Sequence, residues 1–220
     1  MDRKSWNGQQ QQLRQALAKK DTHEQAVALF MQQHAQVHCA EMSGAGEPTF
    51  EDEVWQGLSE GGAKIVPQKE EHSIAWLFWH LTRIEDATMN VLLAGRPQMF
   101  IADGWQARLG VTVSEVGNAM SPAEMADLSA ALDIQALRAY RVAVGRRTRE
   151  NVRALAAGAF RYKVDPAGLE QLLAEGAVNE GSRWLLDYWG GLTLGGLLLM
   201  PPTRHCLVHI NEALVVKKRL

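Results

Sequence analysis

Apolar residues recur at helical spacing through four long segments, at about 22–43, 72–94, 133–157 and 201–218, with turn or breaker residues between them. A stretch of that period hides its apolar stripe best against other helices. The sequence therefore predicts an all-α fold, a four-helix bundle with extra short helices in the connections, formed by residues 1–220 as a single domain. The punctuation agrees with this division. Asp21-Thr22 is placed to cap the first segment, and the Ser43 to Pro48 stretch closes it. Gly95-Arg96-Pro97 ends the second, Asp133 precedes the third, and Pro201-Pro202-Thr203 opens the fourth. Lys217, Lys218 and Arg219 suit the negative end of that last helix. Val111-Thr112-Val113 is the one short strand candidate, and the N-terminal stretch through Leu13, Ala16 and Leu17 reads as a peripheral helix.

Composition narrows the function classes. With 46% apolar residues and a net charge of −2, the chain has the apolar content to fold and lacks the general attraction to phosphate of a basic nucleic-acid binder. Two cysteines cannot staple a chain of this length, which points to a reducing compartment. The first residues lack the apolar core of a signal peptide, and the longest apolar run, Trp189 to Met200, is too short to span a bilayer. The expected location is cytoplasmic, with no membrane partner.

Histidine placement is the most informative chemical feature. Seven histidines scattered at random over this length give about 0.2 pairs at i,i+4, the spacing that lets two imidazoles on one helix face share a metal. Two such pairs occur, His34/His38 and His205/His209. On the second segment, His80 shares a face with Trp76, Leu77, Ile84, Ala87 and Val91, so it points inward and needs a metal or a specific hydrogen bond. One histidine from that helix and two from the last would give three nitrogen ligands and an open position. From the residues alone, His34/His38 stands as a rival pair.

The run from His72 through Trp76 and His80 to Glu85-Asp86 resembles the second-helix signature of the DinB/YfiT-like superfamily of small metal-binding bundles. The run from Pro202 through His205 and His209 to Glu212 resembles that family's closing helix. The resemblance implies a divalent metal, nickel or zinc, held by His80, His205 and His209. It also implies chemistry of the thiol S-transferase or hydrolase type on a small electrophilic substrate, with a low-molecular-weight thiol as a cosubstrate. The long stretch between the second and fourth helices departs from a minimal member of the family. With the C-terminal pair so assigned, His38 and Trp76 become candidates for lining a substrate pocket. No catalytic residue is singled out.

The remaining features take blander readings. Glu85 and Asp86 lie at helix angles that argue against ligation, and are expected in surface or interhelical ion pairs. Cys39 and Cys206 read as buried, unreactive thiols, and His72 and His23 as solvated. The arginines from Arg138 to Arg153 read as a solvated helix face rather than a nucleic-acid stripe. The competing function is a non-catalytic metal-binding or structural bundle acting through partner or homodimer contacts, with Trp184, Tyr188 and Trp189 among its aromatic patches.

Overall fold

The computed structural model describes residues 3–67 and 72–220. The architecture is carried by helices α1 (Arg3–Leu17), α2 (His23–Gln36), α3 (Ile74–Asp86), α4 (Ile134–Ala154) and α5 (Cys206–Lys217), with shorter helices in the connections. The fold is all-α. No strand forms among the described residues: Lys163 and Thr193 make an isolated bridge, and segment 111–113 is irregular.

Helix α3 sits at the centre, packed against α4 and α5. All of its residues from Ile74 to Asp86 are buried, so it has no solvent face where a single inward stripe was expected. Ser73 starts it, its hydroxyl oxygen accepting the Trp76 N–H at 2.9 Å. Beyond Asp86 the backbone widens into a π turn at Ala87–Leu92. There the Thr88 hydroxyl donates to the Ile84 carbonyl at 2.7 Å, and the Asn151 amide of α4 donates to the Met89 carbonyl at 3.0 Å.

A second wide turn, Met200–His205, leads into α5. Pro201 and Pro202 have no N–H to give to the helix ladder, and the Thr203 hydroxyl serves the Leu198 carbonyl instead, at 2.8 Å. At the other end of the chain, the continuous helix expected over 22–43 is two pieces. Helix α2 stops at Gln36, Cys39 is extended, and a short helix restarts at Ala40–Ser43. The break has a partner: the Arg141 guanidinium donates to the Val37 carbonyl at 2.8 Å, outside any helix ladder. Helix α1 is more than peripheral, since Trp6, Leu13, Ala16 and Leu17 are buried and α1 packs along α2.

Asp86, expected in a surface or interhelical ion pair, lies in the core as the acceptor of a hydrogen-bond cluster. Its carboxylate accepts the backbone N–H groups of Met99 and Phe100 at 3.0 and 2.8 Å, the Tyr140 hydroxyl at 2.5 Å and the Asn90 amide at 2.6 Å. One side chain thus ties α3 to α4 and to the helix at Met99–Ala102. The Asp86→Ala variant strands these buried donors, and we expect a loss of about 3 kcal/mol or more in stability, read from the midpoint of urea unfolding.

Candidate metal centre

Three helical turns bring three imidazoles together. The buried His80 projects from α3, while His205 closes the wide turn Met200–His205 and His209 lies four residues on in α5, both partly exposed. The His205 Nε2 is 3.2 Å from the Nε2 of His80 and 3.2 Å from the Nε2 of His209. One ligand atom from each of the three lies within 4.8 Å of the others.

The partners of the other ring nitrogens orient His80 and His209, whereas the His205 Nδ1 is buried with no partner among the described residues. The His80 Nδ1 is 2.5 Å from the Val116 carbonyl, which can only accept, so His80 carries its hydrogen there and turns a bare lone pair inward at Nε2. The His209 Nδ1 is 3.0 Å from a Glu212 carboxylate oxygen and is fixed in the same way. The second Glu212 oxygen is 2.6 Å from the His72 Nδ1, so His72 is held rather than solvated. His72, Trp76 and His80 stack in a column along one face, with ring centroids 4.2 and 4.8 Å apart. Trp76 is buried in that column as a platform behind His80.

Burial, with the neighbouring His209, lowers the His80 pKa to about 3, and burial with His80 and His209 holds His205 well below the ordinary histidine value. Burial alone would raise Glu212, but the hydrogen bonds from His209 and His72 prevail and hold its carboxyl at about 2. Three imidazole nitrogens converging in this way are the donor set of a borderline divalent cation, and two imidazole nitrogens on one tetrahedral ion lie roughly 3.3 Å apart. The residues therefore fit the group.

The backbone beside His80 is specialised. Gly117, at φ +101°, lies so close that a Cβ there would stand 2.9 Å from Trp79 and 3.3 Å from the His80 Nδ1. Neither Val116, Gly117 nor Glu212 is assigned from sequence. Glu212 carries a signal, three residues beyond His209, whereas a loop carbonyl carries none.

Residues 52–182 match the family model of the DinB superfamily. The chain belongs to the DinB superfamily. No curated protein matches it. The matched span contains His80 and Val116 and ends before His205 and His209, so the share of this superfamily member's α5 in the cluster rests on geometry.

The rival pair is also brought to the core, onto a different partner. The Nε2 atoms of His34 and His38 are 2.9 and 3.0 Å from the two oxygens of Glu85, and all three residues are fully buried. Of the two expectations for Glu85, the interhelical ion pair holds, with Arg141 at 2.8 Å, and it lies in the core rather than at the surface. Arg141 of α4 is buried as well, against the expectation of a solvated arginine face; it donates to Glu85 at 2.8 Å and to Glu51 at 3.2 Å. Here the imidazoles donate through Nε2, the reverse of the tautomer in His80. With the Glu85 oxygens taken by N–H groups and a guanidinium against them, the cluster is an ion-pair network, and a cation there would face Arg141.

His38 is sealed in this network rather than lining a pocket. Gly145 of α4 packs so closely that a Cβ would lie 2.7 Å from the His38 ring. Cys39 and Cys206 are buried, and burial pushes their thiols up to about 11 and 12. Arg146 and Arg147 do meet carboxylates at the surface, Glu41 at 3.6 Å and Glu150 at 3.4 Å.

The network gives stability a pH dependence. Burial outweighs Glu85 and lowers His34; burial and Arg141 lower His38, so both native values lie below 6.5. The unfolded chain therefore binds protons that the native state does not as pH falls through 6.5. For Glu85, burial is outweighed by His38, His34 and Arg141, so its value is also lowered and its contribution is lost at still lower pH. We expect the urea midpoint to hold above about pH 7 and to fall steadily between about pH 6.5 and 5, with a shallower slope in His34→Gln/His38→Gln.

Proposed function

We propose that this DinB-superfamily protein is a metal-dependent enzyme, of thiol S-transferase or hydrolase type, acting on a small electrophilic substrate. The observation that carries the reading is the convergence of the His80, His205 and His209 nitrogens, with the His80 and His209 rings oriented by Val116 and Glu212. These three residues would hold nickel or zinc. A divalent cation with three protein ligands and an open position lowers the pKa of a thiol or water, supplying a nucleophile at neutral pH.

The chain's own residues do the positioning. The Val116 carbonyl and Glu212 orient His80 and His209, and the Trp76 ring fixes the plane of His80 from behind. In thiol transfer the new sulfur–carbon bond forms as the bond to the leaving group breaks with its electron pair, and the thiol proton passes to solvent. His205 and His209 are the partly exposed members, so the substrate approaches from their side. We read the whole chain as one domain, which the contact of His80 with His205, 125 residues apart, supports. A cytoplasmic location, with a low-molecular-weight thiol as cosubstrate, accords with the two reduced, buried cysteines.

Element analysis of freshly purified protein tests the reading. Near-stoichiometric nickel or zinc is expected in the wild type and lost in His80→Ala and His209→Ala. A panel of small thiols with a generic alkylating electrophile then tests turnover, which should follow metal content. Wild-type protein that takes up no metal, and whose stability does not change when metal is added, would establish the non-catalytic bundle instead. The Gly117→Ala variant, by displacing the loop that carries the Val116 carbonyl, should weaken metal binding about tenfold or more in competition with a chelating dye.

A further inference from the structure

A cavity of about 250 Å³ opens beside the histidine cluster, between the short helix Trp184–Gly190 and the turn Met200–His205. Trp184, Tyr188 and Trp189 line it from the helix, and Met200, Pro201 and His205 from the turn. Ile84 and Leu185 add aliphatic surface, and Asn118 is the one amide. No lysine, arginine, aspartate or glutamate lines it. The larger groove bordered by Glu51, Arg138 and Arg146 contains none of the three histidines.

Two of these rings are left in water. Trp184 and Tyr188, four residues apart and so on one helix face, are 56% and 42% exposed, while Trp189 beside them is buried. Such rings are satisfied by another flat apolar group at stacking distance. An ionic group placed there would lose its water without gaining a counter-charge. The volume lies below the usual range for drug-sized ligands, which limits the occupant to one ring or a fused pair.

We propose that this cavity binds an uncharged aromatic group of the substrate, held against Trp184 and Tyr188, with the reacting atom turned toward His205 and the open side of the three-histidine cluster. The assignment rests on the metal-dependent reading for its chemistry, and on the cavity alone for binding. It makes Trp184 and Tyr188 specificity-determining residues, selecting neutral rings over charged ones.

Binding to the full-length protein, stripped of metal by a chelator, tests the cavity with nitrobenzene and benzoate as probes in equilibrium dialysis. Nitrobenzene should bind at least about tenfold tighter than benzoate, and Trp184→Ala and Tyr188→Ala should each weaken it about three- to tenfold with circular dichroism unchanged. His209→Ala should retain nitrobenzene binding, so failure of the metal reading is seen separately. In protein loaded with cobalt(II), the ring protons of nitrobenzene should broaden in NMR spectra, and the broadening should diminish in Trp184→Ala. Equal affinity for benzoate, unchanged binding in both variants, or bound nitrobenzene without broadening would overturn the assignment. So would a dimer that dissociates in Trp184→Ala with nitrobenzene affinity intact, which would make these rings a contact between two copies.

Discussion

Burying helix Ile74–Asp86 on every side obliges its imidazole and charged side chains to find partners on other elements, because such a group in that interior cannot turn to water. His80 reaches a loop carbonyl and two histidines of the last helix. Arg83 donates to Gln98 at 2.8 Å and to the Ser114 carbonyl at 2.7 Å. Glu85 gathers His34 of α2, His38 of the bend that follows it, and Arg141, and Asp86 gathers Tyr140 and two backbone amides. The central helix is thereby fastened by polar contacts to α4, to the last helix and to the loops at Val116 and Ser114. The surrounding apolar side chains supply the driving force for burial.

Two histidine pairs of identical spacing end in different chemistry because of what faces them. His34 and His38 meet an ionised carboxylate that only accepts, so they donate to it and the charge is completed by Arg141. His205 and His209 meet another imidazole, whose own hydrogen is committed to a carbonyl. Three ring nitrogens then converge with no carboxylate oxygen among them, an arrangement that suits a cation. The aromatic cavity adjoins this second cluster alone, so the proposed ligand sphere and the proposed substrate group meet at His205.

Much of this was legible in the sequence. Helical periodicity and its breakers located the long helices, because an apolar stripe and a missing N–H act locally. The inward turn of His80 followed from its apolar neighbours one and two turns away, and the two i,i+4 pairs were visible as spacing. The pair on the last helix could be preferred only through the family resemblance. Glu85 does make an interhelical ion pair, with Arg141, but the depth at which it, Asp86 and Arg141 lie was not legible, because their burial depends on partners brought in by other stretches of chain.

The sequence by itself determined an all-α chain, its principal helices, and the presence of imidazoles at spacings able to share an ion. These are properties of neighbours within a few turns, where backbone geometry leaves little freedom. Only the tertiary structure decided which imidazoles meet, which ring nitrogen carries the hydrogen, and that Trp184 and Tyr188 flank the result. Those depend on the Val116 carbonyl, the Glu212 carboxylate and Arg141 arriving from distant stretches of chain, and hydrogen bonds of this kind exist only once packing has excluded water and fixed every partner at once.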